Sequence, residues 1–286
     1  MNVPATASQL AGLHIAFIGG GNMARSLVGG LVQKGCRPDD ITVADPDPKQ
    51  LGILQQQFAV QVTADNHEAA AAAEVLLFAV KPQVFRNTAL PLAELVKSRQ
   101  PLVISIAAGI GESDIRRWLG GRAAVVRAMP NTPALVGAGA AALFANAAVT
   151  PMQRTIAQTL LEAVGLALWI EDESLMDAVT AVSASGPAYF FLLMELMEAT
   201  ARELQLPAGV ARRLVLQTAY GAARMALTTG EDVAVLRRQV TSPGGTTAAA
   251  LKVFEAEGLS TLVMHALTAA RDRGRELARE SAEETP

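Results

Sequence analysis

The feature that most constrains this 286-residue chain lies near its start. Ile15-Ala16-Phe17-Ile18 is a short apolar run, Gly19-Gly20-Gly21 follows it, and Asn22 opens a segment of helical periodicity. The spacing Gly19-x-Gly21-x-x-Ala24 is that of a strand feeding a helix through a tight turn. Gly19 permits the turn, Gly21 lets backbone approach a pyrophosphate, and Ala24 lets the helix pack close to the strand, while the helix N-terminus offers unpaired N–H groups to an anion. In a strand–turn–helix setting this pattern predicts a dinucleotide site that uses Ile18, Gly19, Gly21, Asn22 and Met23.

The rest of the first half agrees. Short apolar runs at 14–18, 41–44, 75–79, 102–105 and 124–128 are bounded by Gly, Pro, Asn or Asp and read as strands buried on both faces. Helical segments at 22–33, 49–58 and 84–98 separate them, and two further strands, 137–145 and 166–170, flank a helix after Pro151. The alternation predicts an α/β fold with a Rossmann-type, doubly wound, mostly parallel sheet. From residue 173 onward only helical periodicity remains, at 174–182, 187–204, 207–229, 233–239, 246–256 and 259–284. The expected division is a dinucleotide-binding domain over 1–170 and an all-helical dimerisation and substrate-binding domain over 171–286. The helix from Pro207 is apolar around more than one face, which requires burial in a bundle or a subunit interface.

Composition narrows the class. The formal net charge is −3, with no basic stripe to serve nucleic acid. Cys36 is the sole cysteine, so no intrachain disulfide forms, and a reducing compartment is compatible. Residues 1–12 lack a basic, then apolar, leader pattern, and no run approaches the roughly 18 uninterrupted apolar residues of a membrane span. A cytoplasmic enzyme, with neither a membrane nor a nucleic-acid partner, is the expectation.

Ligands of open α/β sheets bind beyond the carboxyl ends of strands. Asp45-Pro46 ends the second strand, where an acid holds a ribose 2′-hydroxyl or simply caps the next helix; Lys49 is the one nearby cation for a 2′-phosphate. NAD and NADP both stay open. Ala79-Val80-Lys81-Pro82 ends another strand, with Lys81 facing either the cofactor or solvent. Ile106-Ala107-Ala108-Gly109 provides small residues for the nicotinamide end. Met129-Pro130-Asn131-Thr132-Pro133 forms a proline-fixed rim. In the helical half, Thr241-Ser242-Pro243-Gly244-Gly245-Thr246-Thr247 gathers N–H and O–H donors at a helix start, as a carboxylate receptor or as an ordinary capped turn. No cluster of metal ligands stands out.

These segments, with Ser183-Ala184-Ser185-Gly186-Pro187-Ala188-Tyr189 and Val240–Thr247, resemble the pyrroline-5-carboxylate reductase family from Ile15 to about Glu257. The resemblance implies NADPH or NADH as hydride donor and the cyclic imine 1-pyrroline-5-carboxylate as substrate. It also implies an interlocked homodimer with a swapped helical domain, and assembly of dimers into decamers. Asn66 and Lys81 match cofactor contacts. Met129 and Asn131 match residues near the nicotinamide and substrate, and Glu173 matches a glutamate near the site. Ser242, Gly244, Gly245, Thr246 and Thr247 match the carboxylate loop, and Thr247 matches the hydroxyl that reaches the ring nitrogen, the single catalytic candidate. The sequence departs from the pattern at Asp45-Pro46, where a polar or basic pair is common, at Ala184 in place of glycine, and at Gln239 in place of asparagine.

The expected chemistry is hydride transfer to a protonated imine, which needs positioning and electrostatics more than a general acid. His14 and His265 read as structural. Two other readings remain. A β-hydroxyacid dehydrogenase would need a helical lysine, and Lys252 is the only lysine after residue 170. A non-catalytic NAD(P) sensor would have no use for the Ser242–Thr247 loop.

Overall fold

The computed structural model describes residues 10–283. The strands are β1 (Ile15–Ile18), β2 (Ile41–Ala44), β3 (Gln61–Thr63), β4 (Val75–Phe78), β5 (Leu102–Ser105), β6 (Ala124–Met129), β7 (Gly139–Ala145) and β8 (Gly165–Trp169). Between and after them run α1 (Asn22–Gln33), α2 (Pro48–Phe58), α3 (Asn66–Ala70), α4 (Pro82–Ala89), α5 (Ala93–Arg99), α6 (Glu112–Trp118) and α7 (Pro151–Glu162). The helical half holds α8 (Met176–Val179), α9 (Gly186–Glu203), α10 (Ala208–Thr229), α11 (Val233–Gln239), α12 (Thr246–Ala256) and α13 (Leu259–Glu283). Residue 284, included in the expected last helix, and residues 1–9 of the leader reading lie outside the described residues.

The strands form one sheet in the order β3-β2-β1-β4-β5-β6-β7-β8. All neighbours are parallel except β6 and β7. This is the doubly wound, mostly parallel Rossmann-type architecture. Strands β1, β4 and β5 are buried at every residue, so their β-branched and aromatic side chains face helices on both sides of the sheet. One core layer joins Leu27, Leu31 and Leu54 to Phe17 and Leu77; the other joins Phe85, Leu92 and Ile115 to Leu76 and Phe78.

Three of the differences from expectation have local reasons. The expected helix 84–98 is two helices separated by a 3-10 turn at Leu90–Leu92, because Pro91 cannot donate to a continuing ladder. β3 is three residues long and only partly buried, so it lacks an apolar run. Residues 173–203 form a nearly continuous helical stretch that passes through a 3-10 turn, α8, a π segment at Thr180–Ala184 and α9. By length and composition this stretch, Glu173–Glu203, is apolar enough to cross a membrane, although Asp177, Glu195, Glu198 and Arg202 interrupt its apolar residues.

Two compact units emerge. The first comprises residues 1–185 with 270–286, and the second residues 186–269. Strands end at Trp169, where the texture of the sequence changes, and the second half of α13 belongs with the sheet.

Candidate active site

In the first unit β1 to β6 run parallel, so their carboxyl ends share one edge of the sheet. Chain order leaves β1 in both directions, to β2 and to β4, which makes this the switch point where an open α/β sheet has its crevice. The ladder extends one residue into each loop. Gly19 N donates to Ala44 O at 2.7 Å, Asp45 N to Thr63 O at 3.2 Å, Ala79 N to Ile18 O at 2.8 Å, and Ile106 N to Phe78 O at 3.1 Å. The sheet thus pins the first residue of every expected cofactor loop.

Each glycine of the turn has its own reason. Gly19 turns with φ +102°, and a Cβ there would lie 2.8 Å from Ala79 O. A Cβ on Gly20 would meet Leu54 Cδ1 at 3.0 Å and Asp45 Cβ at 3.3 Å. Gly21 has an ordinary φ of −67° and no atom within 4 Å of its would-be Cβ. Packing within the protein therefore explains the first two glycines, whereas open space lies in front of the third. Gly21 is also the N-cap of α1, which no side chain caps, so first-turn N–H groups at Asn22 and Met23 are available to a pyrophosphate.

Asp45 is bound into the turn. Its Oδ2 accepts from Gly20 N at 2.7 Å and its Oδ1 from Asp47 N at 2.8 Å. Pro46 is exposed beside it, and Asp47, not Asp45, caps α2 through Lys49 N at 2.9 Å. Asn66 starts α3 after β3. Ala79, Val80, exposed Lys81 and Pro82 lead from β4 into α4, with Lys81 as its uncapped N-cap residue. Partly buried Ile106, buried Ala107 and exposed Ala108 follow β5. These residues, with Ile18, Gly19, Gly21, Asn22 and Met23, are gathered along one edge.

Met129 ends β6 and is buried. Asn131 is buried with both ends of its amide engaged. Its Nδ2 donates to Ser183 O at 3.0 Å, and its Oδ1 accepts from Ala140 N at 2.9 Å. Glu173 is likewise engaged, because its Oε1 accepts from Arg127 Nη1 at 2.6 Å and from Glu112 N at 2.7 Å. Glu112 Oε1 in turn accepts from Arg116 and Asn146. Sequence reasoning gave no role to Arg127, Glu112 or Asn146. The available signal was an arginine inside an apolar strand, which burial obliges to find a partner.

The second unit carries the other donor cluster. Gly245 N donates to Ser242 O at 3.0 Å, with Pro243 and Gly244 (φ +71°) as the central residues of the turn. That is the Pro-Gly arrangement of a type II turn. Gly245 is the N-cap of α12 and no side chain caps the helix. The first-turn N–H groups at Thr246 and Thr247 therefore lack a side-chain cap, and Ser242, Thr246 and Thr247 carry hydroxyls at or next to this helix start.

Other candidates fall away. A cavity of about 640 Å3 lies along α1 beside Gly29, Phe58 and Leu135 and includes no residue of the glycine turn. Burial, followed by the nearby Asp40 carboxylate, raises the Cys36 thiol above its ordinary pKa, as befits an unreactive core residue. Among the described residues no group of three or more His, Cys, Asp or Glu side chains could hold a metal.

Comparison with known proteins gives two family-model matches. A family model described as pyrroline-5-carboxylate reductase dimerisation matches residues 173–277. One described as NADP oxidoreductase, coenzyme F420-dependent, matches residues 14–109. A pyrroline-5-carboxylate reductase from Pseudomonas aeruginosa is 51% identical over 93% of this chain and 97% of its own length. The structure of a pyrroline-5-carboxylate reductase from Coxiella burnetii superposes with a TM-score of 0.89 at 44% identity, covering 93% of this chain and 98% of the other. That of the Plasmodium falciparum enzyme, with NADP bound, gives 0.83 at 26% identity, covering 93% and 98%. With near-complete coverage and half its residues shared with such a relative, the chain belongs to the pyrroline-5-carboxylate reductase family.

Proposed function

We propose that the chain reduces 1-pyrroline-5-carboxylate to L-proline, the last step of proline biosynthesis, with NADPH or NADH as donor. The observation that carries this reading is the presence, in one chain, of a glycine turn open in front of Gly21 and an uncapped donor loop at the start of α12.

The residues at the sheet edge fit a dinucleotide. Ile18, Gly19, Gly21, Asn22 and Met23 hold the pyrophosphate, and Asp45, Pro46 and Asn66 face the adenosine ribose. Ala79 to Pro82 flank the dinucleotide, and Ile106 to Ala108 admit the nicotinamide. When bound, the reduced nicotinamide supplies a hydride to the imine carbon. Ser242, Gly244, Gly245 and Thr246 hold the substrate carboxylate through N–H and O–H donors. Thr247 donates or accepts a hydrogen bond at the ring nitrogen, which carries its proton into the product amine. Because a protonated imine is already electrophilic, orientation and electrostatics account for the work of the protein. Met129 and Asn131 shape the rim, and Glu173 acts by fixing Arg127 and the start of α6.

The helical half, residues 171–286, serves as the dimerisation and substrate-binding domain, and 1–170 as the nucleotide-binding domain. Two copies form a homodimer, dimers assemble into a decamer, and the enzyme works in the cytoplasm.

The test is loss of reduced-nicotinamide absorbance by the purified protein with pyrroline-5-carboxylate present or omitted, for NADPH and NADH separately, with proline identified as product. Substrate-dependent oxidation with proline formed is the expected result. A folded protein that binds either nucleotide but oxidises neither would return the assignment to a sensor or to another reductase class.

A further inference from the structure

β6 carries one charged side chain in an otherwise apolar run, Arg127. Strand alternation puts it on the face of Val125, which packs in one layer with Ile115 and Trp118 of α6, and its side chain is 9% exposed. A guanidinium withdrawn from water needs an acceptor. Arg127 finds one in Glu173, whose Oε1 accepts from Arg127 Nη1 at 2.6 Å and from Glu112 N at 2.7 Å. Glu112 is the first residue of α6, and its N-cap, Gly111, has no side chain to offer. Glu173 thus caps α6 from 61 residues away, and Arg127 holds the capping oxygen.

A second tether secures the same residue. Glu112 Oε1 accepts from Asn146 Nδ2 at 2.7 Å, and Asn146 Oδ1 accepts from Val125 N at 3.1 Å. Glu112 is therefore moored to β6 at two points, near Val125 through Asn146 and at Arg127 through Glu173. The loop 106–111 runs from β5 to this mooring. It leaves β5 at Ser105, the register partner of Arg127, and Ser105 Oγ accepts from Ala107 N at 3.3 Å. Arg127 thus stands beside the start of the loop through its backbone and fixes the end of the loop through its side chain. All of these residues belong to the first compact unit. A buried ion pair is weak evidence for stability, because desolvation offsets the attraction. What this pair supplies, and an apolar residue of similar volume could not, is a fixed position for Glu112 N.

We propose that Arg127 is a positioning residue for hydride transfer: through Glu173 it holds the loop 106–111 and so sets where the nicotinamide lies against the imine. This rests on the reading of Ile106 to Ala108 as the nicotinamide loop. Gly21 and the start of α1 are held by other bonds, so cofactor affinity survives loss of the brace while turnover does not. A misplacement of about 1 Å is enough to cost roughly a hundredfold in rate.

Arg127→Met, Arg127→Lys and Glu173→Gln are compared with Arg117→Ala, which breaks an exposed pair on the same helix and serves as the control. Hydrogen–deuterium exchange of the cofactor-free, full-length protein is read over residues 106–115 and, as reference, over α7. Exchange over 106–115 is expected to quicken about tenfold or more in Arg127→Met and Glu173→Gln with α7 unchanged, as local rather than global opening requires. In the same variants kcat should fall about tenfold or more, with the cofactor dissociation constant, from nicotinamide fluorescence, within about twofold of wild type. A donor deuterated at C4 should show a larger isotope effect, Arg127→Lys should recover part of each loss, and Arg117→Ala should match wild type. Unchanged exchange over 106–115 in whichever variants fold, an equal rise in α7, or a loss of cofactor affinity as large as the loss of kcat would overturn the proposal. A wild type that oxidises neither donor with the imine present would overturn the reductase reading instead, and the exchange comparison would still decide whether Arg127 holds the loop.

Discussion

At Gly19 the backbone adopts φ +102° while passing within 2.8 Å (would-be Cβ to oxygen) of Ala79; at Gly21, two residues on, neither constraint applies. The two positions therefore separate folding from binding. Gly19→Ala is expected to cost about 1–3 kcal/mol or more through backbone strain and overpacking, seen as a lower melting temperature. Gly21→Ala is expected to change stability by about 1 kcal/mol or less, yet to raise the KM for the nicotinamide cofactor at least tenfold; a G21A enzyme with unaltered cofactor KM would remove the pyrophosphate from this turn. Asp45 offers a second separation. A carboxylate fixed by Gly20 N and Asp47 N favours a free ribose hydroxyl over a 2′-phosphate. Asp45→Ser should raise the ratio of NADPH to NADH kcat/KM, about tenfold for each 1.4 kcal/mol of repulsion removed, and a ratio unchanged by the substitution would mean that the acid serves only the turn. Thr247→Ala should lower kcat by roughly tenfold or more with cofactor KM unchanged, and full turnover in that variant would exclude the hydroxyl from the mechanism. The glycine spacing and Asp45 were legible from the chain alone because the motif is local. The bond from Gly20 N to Asp45 Oδ2 was not, since it depends on β1 and β2 lying side by side.

Among elements, the π segment Thr180–Ala184 shows where local reading stops. Pro187 has no N–H, so it cannot serve Ser183 O four residues earlier, and Asn131 Nδ2 serves it instead. The same amide accepts from Ala140 N, tying β6, β7 and the π segment together. Asn131→Ala would leave a part-buried carbonyl and a part-buried N–H without this partner, and is expected to cost about 1–3 kcal/mol in urea or thermal unfolding. Wild-type stability in that variant would show that water or a shifted backbone replaces the amide. The two prolines marked 129–133 as a fixed rim, but the partners of Asn131 lie 9 and 52 residues away, beyond any periodicity argument. The strands that read as apolar runs are those at the centre of the sheet, where both faces are buried. β3 went unread because its three residues carry no such run. α6 was missed although Glu112 and Asp114 in its first turn and Arg116 and Arg117 in its last complement a helix dipole.

For the whole molecule, the two compact units pose opposite problems. The sheet unit encloses two apolar layers of its own. In the second unit, residues 186–269, only Gly186, Ala211 and Val215 are buried, while Phe190, Phe191, Leu196 and Leu227 are 65%, 62%, 56% and 84% exposed. Apolar surface on that scale is a contact surface rather than a solvated one, and the family model that spans it describes dimerisation. The same reasoning applies to the apolar stretch Glu173–Glu203, whose membrane-like composition is what a helix needs when a second copy covers it. The all-round apolar character after Pro207 already pointed to burial, but one sequence does not say whether the cover comes from the same chain or another. If a second copy completes this core, folding is linked to association, and the melting temperature rises with protein concentration by mass action. Each tenfold increase in concentration adds about 1.4 kcal/mol to the stability of a dimer that has no folded monomer. Melting followed over a hundredfold range of concentration should therefore shift upward by several degrees, with light scattering reporting an even number of subunits. Leu196→Glu, which places a charge on the exposed apolar face of α9, should lower both the mass and the helical signal. A melting temperature independent of concentration, with the mass of one subunit, would mean that the helical unit is stable alone and that the dimer reading is wrong.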